Sequence, residues 1–282
     1  MKIIADGGGT KTDWKVFPTD SADSVIVTTE GINPSVMPFK ALEERVGNFF
    51  ETLKTRYPEI AGQRNDLRFY GAGCATTQAQ DLLRNIIRKS SGVDFNSLYI
   101  GSDLEGSALA LFGSESGIAC ILGTGSATGY YDGICIVDSV PAMGYLLGDE
   151  GSGAFMGKML VNRYFKRGLS HQVNTLLEDF HDMSIEEVLL KSYRDGHPGS
   201  YLGSFVPFLK ENENLEEIND IINLCLKLFF ENNVLKYKNI PHNTKIGFVG
   251  GVACAFRDRL SQLSEQYGFI PTRFLKRPIE GL

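Results

Sequence analysis

One arrangement limits this chain more than any other: a short apolar strand runs into a glycine turn and returns as a strand, and the chain lays this down twice. Residues 2–5 form a short run, apolar after Lys2, that stops at Asp6 and enters Gly7-Gly8-Gly9. Strands are predicted next over 13–17 and 24–29, with a turn over 18–23 between them. In the second half, residues 117–122 enter Gly123-Thr124-Gly125, and strands are predicted over 127–131 and 134–140 around Asp132-Gly133. Strand, glycine turn, strand is a hairpin pattern, unlike the strand–glycine–helix order of a Rossmann or P-loop site. Glycine makes up 31 of 282 residues, about 11% against a usual value of about 7%. Thirteen of these glycines fall between Gly101 and Gly157. Clustering without a short period excludes collagen-like and low-complexity chains. It marks places where backbone must come close to something.

The remaining pattern alternates. In the first part, apolar residues at Phe39, Leu42, Val46, Phe49, Phe50 and Leu53 predict a helix over 39–57. Strands follow at 67–70 and 97–100, with helices at 77–90 and 103–112. In the second part helices are predicted at 153–167, 173–180, 185–193, 215–237 and 252–267, with a strand at 245–249. This is an α/β protein with helices on the sheet faces. Domains of roughly 150 residues suit two units, 1–112 and 113–282, the last helix being free to pack back onto the first.

Several classes are excluded. Net charge is −6 with no Lys/Arg cluster, which speaks against a nucleic-acid partner. The five cysteines stand no closer than Cys120 and Cys135, without a C-x-x-C pair, and read as reduced, buried thiols. The opening MKIIADGGG lacks the features of a signal peptide, and no run of 18 apolar residues offers a membrane span, so a cytoplasmic protein without a membrane partner is expected. His171, His181, His197 and His242 lie apart and read as surface or packing residues. Residues 211–217 read as a solvated acidic loop and helix start, and the apolar stripe over 215–235 as core.

The glycine turns carry the chemistry. Gly8 and Gly9 let backbone N–H groups approach a phosphate, and Thr10 adds a hydroxyl. Lys11 has the wrong spacing for a P-loop lysine and reads as solvent-exposed or as a phosphate contact. Asp6 reads either as a turn cap or as a holder of Mg²⁺ through water. Gly123, Thr124 and Gly125 repeat the arrangement, and two such turns in equivalent places point to one nucleotide held from both sides. Gly250 and Gly251 end a strand and open a helix, set against a purine or ribose or simply closely packed. Asp103 stands where a strand meets a helix, as an N-cap at the edge that borders the ligand crevice of such sheets. Asp149 likewise stands before a helix and reads as its N-cap. Asn33, before Pro34, reads as capping or turning the chain.

The segments Asp6-Gly-Gly-Gly-Thr-Lys-Thr-Asp13, Leu122-Gly-Thr-Gly-Ser126, Gly148-Asp-Glu-Gly-Ser-Gly153 and Val249-Gly-Gly-Val-Ala253 together resemble the N-acetylglucosamine kinases. These group with the activator ATPases of benzoyl-CoA reductase and 2-hydroxyacyl-CoA dehydratase, in the superfamily of sugar kinases, actin and heat-shock chaperones. The resemblance covers essentially the whole chain. It implies two ribonuclease-H-like (actin-like ATPase) domains around a nucleotide cleft, with ATP and Mg²⁺ as cofactors and a sugar as substrate. It implies Asp103 as the base, and Asn33, Ser126, Gly144, Asp149 and Asp103 around the sugar. A homodimer is compatible with it. An activator ATPase, or a sugar sensor without catalysis, are the alternatives on the same fold. The chain departs from the pattern at one point: Ala142-Met143-Gly144 stands where the vertebrate-type kinases have Gly-Trp-Gly, which leaves the sugar open among N-acetylglucosamine, N-acetylmuramic acid, glucosamine and glucose.

Overall fold

The computed structural model describes residues 1–18, 23–194, 196–238 and 240–282. The predicted turn over 18–23 lies at 19–22 outside the described residues. The chain forms two compact units, Met1–Ala110 with Pro278–Leu282, and Leu111–Arg277. The division falls two residues before the expected boundary at 112. The last five residues, rather than the last helix, belong to the first unit.

The first unit holds β1 (Lys2–Gly7), β2 (Lys11–Phe17), β3 (Val25–Glu30), α1 (Phe39–Arg56), β4 (Arg64–Gly71), α2 (Thr77–Ser90), β5 (Asp94–Ser102) and the start of α3 (Asp103–Phe112). Its sheet runs β3-β2-β1-β4-β5. The three leading strands are antiparallel, and β4 and β5 join β1 in parallel. Lone apolar patterns become strands here because a sheet covered by helices buries both faces. Trp14 of β2 stacks on Phe49 of α1, ring centroids 3.8 Å apart, and Phe50 and Phe69 meet it edge-on. These rings and Leu42, Val46 and Leu53 form the core between sheet and helix. Strand β1 runs two residues beyond the expected end. Asp6 pairs with Asp13 and Gly7 with Thr12, so the hairpin turn shrinks to residues 8–10.

The second unit holds β6 (Gly117–Leu122), β7 (Ser126–Tyr131), β8 (Ile136–Val140), α4 (Gly144–Leu147), α5 (Gly153–Phe165), α6 (His171–Phe180), α7 (Ile185–Tyr193), α8 (Pro198–Gly203), α9 (Val206–Glu211), α10 (Glu216–Asn232), β9 (Lys245–Val249), α11 (Gly251–Ala255), α12 (Arg257–Gln266) and β10 (Ile270–Leu275). Its sheet is β10-β9-β6-β7-β8, which read from the other edge is the order of the first sheet. Strand β10 and helices α4, α8 and α9 are additions to the sequence reading. β10 was unread because its residues are mostly exposed and carry no apolar run. The helix expected over 215–237 ends at Asn232, and the one expected over 252–267 is two, broken at Phe256. Phe229, Phe230, Phe248 and Phe256 anchor the core of this unit. Cys74, Cys120 and Cys225 are buried as expected, whereas Cys135 and Cys254 are exposed, because one sits in a hairpin turn and the other on the outer side of α11. Among the described residues no helix is long and apolar enough to cross a membrane.

Candidate functional site

In the first unit the β1–β2 turn is closed by backbone bonds. The Gly8 N–H donates to the Lys11 carbonyl at 2.8 Å, and the Gly31 N–H donates to the Thr10 carbonyl at 3.0 Å. Gly9 and Thr10 are exposed at the tip, and a Cβ added at Gly9 would meet nothing. Lys11 bridges to Asp13 at 3.2 Å, and Asp13 also accepts the Thr28 hydroxyl at 2.6 Å. Three carboxylates face the same region: Asp6, its cross-strand partner Asp13, and Asp103 at the end of β5. Burial, then the charges of Asp13 and Asp103, push the Asp6 carboxyl up to about 7, against the Ile279 backbone hydrogen bond and Lys11. Burial also pushes the Asp103 carboxyl up, while the N–H groups of Leu104 and of Asp103 itself pull it down.

Asp103 does not cap α3 in the ordinary way. Ser102 takes that place, its hydroxyl accepting the Glu105 N–H at 3.1 Å, and the Asp103 Oδ1 accepts from its neighbour Leu104 at 2.9 Å. Asn33 makes a turn: its Oδ1 accepts the Ser35 N–H at 3.0 Å, and Ser35 in turn donates to the Gly73 carbonyl at 2.8 Å.

In the second unit the β6–β7 turn is held by the start of a helix. The N–H groups of Gly153 and Ala154 donate to the carbonyls of Gly123 and Thr124 at 2.8 and 3.0 Å. Gly250 has φ +123°, a conformation that only glycine takes at low cost, and a Cβ there would strike the Leu122 carbonyl oxygen. This glycine therefore lets the end of β9 lie directly against the end of β6. Gly123, Thr124 and Gly251 border a cavity of about 530 Å³.

The Asp149 carboxylate lies over Gly125 and accepts hydrogen bonds from the N–H groups of Ser126 and Gly144. Burial pushes it up; those bonds oppose this. The cap of α5 is Ser152, whose hydroxyl accepts the Phe155 N–H at 3.1 Å, so Asp149 is no cap either. Asp149 has φ +57° and the preceding Met143 φ +61°, left-handed conformations uncommon for residues with a side chain. Met143 is 60% exposed.

No family model and no curated protein matches the chain. Solved structures do. A protein of Porphyromonas gingivalis, provisionally named an N-acetylglucosamine kinase, shares 30% identity over 100% of this chain and 96% of its own, with TM-score 0.89. The chain belongs to the N-acetylglucosamine kinase-like family. A second protein so named, from Chromobacterium violaceum, is 18% identical over 99% of this chain and 96% of its own, TM-score 0.77. A ROK family glucokinase of Streptomyces griseus, solved with glucose and AMPPNP, is 13% identical over 96% of this chain and 93% of its own, TM-score 0.55, and shares the fold. The two mixed five-stranded sheets with their helices share the fold of two-domain actin-like ATPases.

Within this family member, the residues named from sequence fall into separate groups. Asp6, Gly8, Gly9, Thr10 and Lys11 gather at the first turn, with Asp103 close enough to act on Asp6 by charge. Gly123, Thr124 and Gly251 share one cavity with Gly250 behind them, and Gly125, Ser126, Gly144 and Asp149 form a hydrogen-bonded group beside it.

Asp13 was missed as a site residue. Its signal was its register, since a strand pairing that starts at Lys2 and Phe17 sets it opposite Asp6. Lys210, which also borders the cavity, was missed because α8 and α9 are short and leave no helical period in the sequence.

The donor set fits the expected cofactors. Among the described residues no group of three or more His, Cys, Asp and Glu side chains forms a direct metal cage. An excess of carboxylates over Lys11 instead suits a Mg²⁺ held mostly through water and phosphate. The open faces of Gly9, Gly123 and Gly251 suit phosphate oxygens, since nothing stands within 4 Å of a Cβ placed there.

Proposed function

We propose that this chain is an ATP-dependent kinase that phosphorylates a hydroxyl of an amino sugar, with N-acetylglucosamine the first choice. The observation that carries this reading is the release of two carboxylates from capping. Ser102 and Ser152 satisfy the helix starts, which leaves the Asp103 and Asp149 carboxylates for other work. The likeness to the Porphyromonas protein over the whole chain supports it.

ATP with Mg²⁺ supplies the transferable phosphoryl group and offsets its charge. The chain's own residues do the rest. Asp149, oriented by Ser126 and Gly144, accepts hydrogen bonds from two sugar hydroxyls and fixes the ring. Asn33 adds a contact through its amide. Asp103 takes the proton of the accepting hydroxyl at Oδ2, the oxygen not bonded to Leu104. Its pKa, raised by burial toward the working pH, suits a base that must gain a proton and later lose it. Backbone N–H groups around Gly8–Gly9 and Gly123–Gly125, with the Thr10 and Thr124 hydroxyls, hold phosphate oxygens. Gly250 and Gly251 bring backbone to the nucleoside part, and Asp6 holds the waters of Mg²⁺.

The test is ADP release across N-acetylglucosamine, N-acetylmuramic acid, glucosamine and glucose. Turnover stimulated by one amino sugar and absent in Asp103→Asn is expected. No stimulation by any of the four sinks the reading.

A further inference from the structure

The cavity at the second glycine turn has a second wall that the sequence did not reveal. Helix α8 lies so close to α5 that the Leu202 carbonyl occupies the space a Cβ at Gly157 would need. Pro198 and Pro207 start α8 and α9, and Phe205, Phe208 and Leu209 anchor them in the core. This packing brings Val206, Pro207 and Lys210 to the cavity opposite Gly123, Thr124 and Gly251.

Lys210 is the one charged side chain on that border among the described residues. A larger cavity, of about 890 Å³, also begins at Lys210 and Ala255, so the lysine stands where the two spaces adjoin. It donates to Glu213 at 2.6 Å, and Arg259 donates to the other Glu213 oxygen at 3.3 Å. Arg259 is itself fixed to α10 by Asn219 and Asn223 at 2.6 and 2.7 Å. Burial pushes the Glu213 carboxyl up, but the hydrogen bonds and charges of Lys210 and Arg259 outweigh it and hold the group below its ordinary range. One carboxylate between two cations leaves the cluster with one positive charge. Of residues 211–217, expected as a solvated acidic loop and helix start, Glu213 borders the larger cavity.

Backbone N–H groups alone are a weak answer to a polyphosphate, because its charges lose water on entering a cavity. A lysine ammonium is a compact charge suited to that need. We propose that Lys210, on the border of this cavity, binds a phosphate of the nucleotide there, turning from its pair with Glu213; this rests on the nucleotide reading above.

The test is direct titration of the whole chain with ADP, adenosine and inorganic phosphate, in the wild type, Lys210→Met and Lys210→Arg. Lys210→Met is expected to weaken ADP by about tenfold or more, the usual weight of a hydrogen bond to a charged group, and to leave adenosine unchanged. Lys210→Arg is expected to retain most of the ADP affinity, since the charge remains. Undiminished ADP binding by Lys210→Met overturns the proposal and leaves the kinase reading standing. Equal loss of ADP and adenosine overturns it too, because that is damage to the cavity. Inorganic phosphate bound as tightly as ADP overturns it in favour of a free-phosphate site. A wild type that binds no ADP overturns this proposal and the nucleotide reading together.

Discussion

The two units repeat one topology and surround its leading turn with different side chains. Both sheets place their first strand in the middle, the next two antiparallel on one side and the last two parallel on the other. Both turn after the first strand through glycines. In the first unit the turn is braced by a backbone bond from Gly31 and stands near Asp6, Asp13 and Asp103. In the second it is braced by the start of α5 and by Gly250, and the charge on the cavity border is Lys210. A duplicated scaffold thus fixes where a ligand can meet backbone, and the side chains around each turn decide what is done there. The first unit carries an excess of acid, which suits proton transfer and a hydrated cation. The second carries neutral backbone, one cation and a fixed carboxylate, which suits holding a nucleotide and a polyol.

The largest effect that would sharpen this division is at Asp103. Asp103→Asn removes the proposed base from the first unit only. Sugar-stimulated kcat should fall by about 10²–10⁴-fold, the usual weight of a positioned general base. ADP titration should stay at the wild-type value, because Asp103 is not among the residues proposed to hold the nucleotide. Full activity in the variant would break the assignment of proton transfer to the first unit.

Asp149→Asn tests the second unit in the same manner. A charged acceptor of hydroxyl hydrogen bonds is worth about 1.5–3 kcal/mol, so the sugar KM should rise by about 10- to 100-fold. The rise should come with little change in the KM for ATP. A shift in the ATP KM alone would place Asp149 on the nucleotide side of the comparison.

Gly250→Ala tests the bracing itself. With φ +123° and the Leu122 carbonyl in the way, an alanine costs about 1–3 kcal/mol from backbone conformation alone. Urea unfolding of the whole chain should show that loss. Gly9→Ala, at an exposed position with open space, is the matched control and should cost much less.

Much of the fold was legible because long helices such as α1 and α2 bury a periodic face, and because each leading strand ends in glycine. The short helices α8 and α9 were not legible. Each spans six residues, less than two turns, so their formation depends on prolines at the start and on packing against α5. The carboxylates of the site were legible as residues and ambiguous as roles. An aspartate before a helix is a cap until a neighbour is seen to do the capping. Ser102 and Ser152 stand one residue before and three residues after the acids, and only the hydrogen bonds show which residue serves the helix. Met143 was legible as a departure from the resembling kinases, and its left-handed backbone and exposure were not.

A further effect is a pH dependence confined to the first unit. Asp6 in the folded chain keeps its proton up to about 7, because burial and the charges of Asp13 and Asp103 disfavour the anion. In the unfolded chain it loses that proton near the ordinary value of about 3.9. Between those values the folded state binds more protons than the unfolded state. The stability that Asp6 contributes is therefore fully present below about pH 4 and is lost as pH rises toward 7, beyond which it changes no further. Asp6→Asn stays neutral throughout. Unfolding by urea at several pH values, with a chelator present to remove Mg²⁺, should show the wild type losing stability relative to the variant as pH rises from 4 to 7. Parallel curves would mean that the three carboxylates do not crowd one another, and the acidic character that separates the first turn from the second would fall with them.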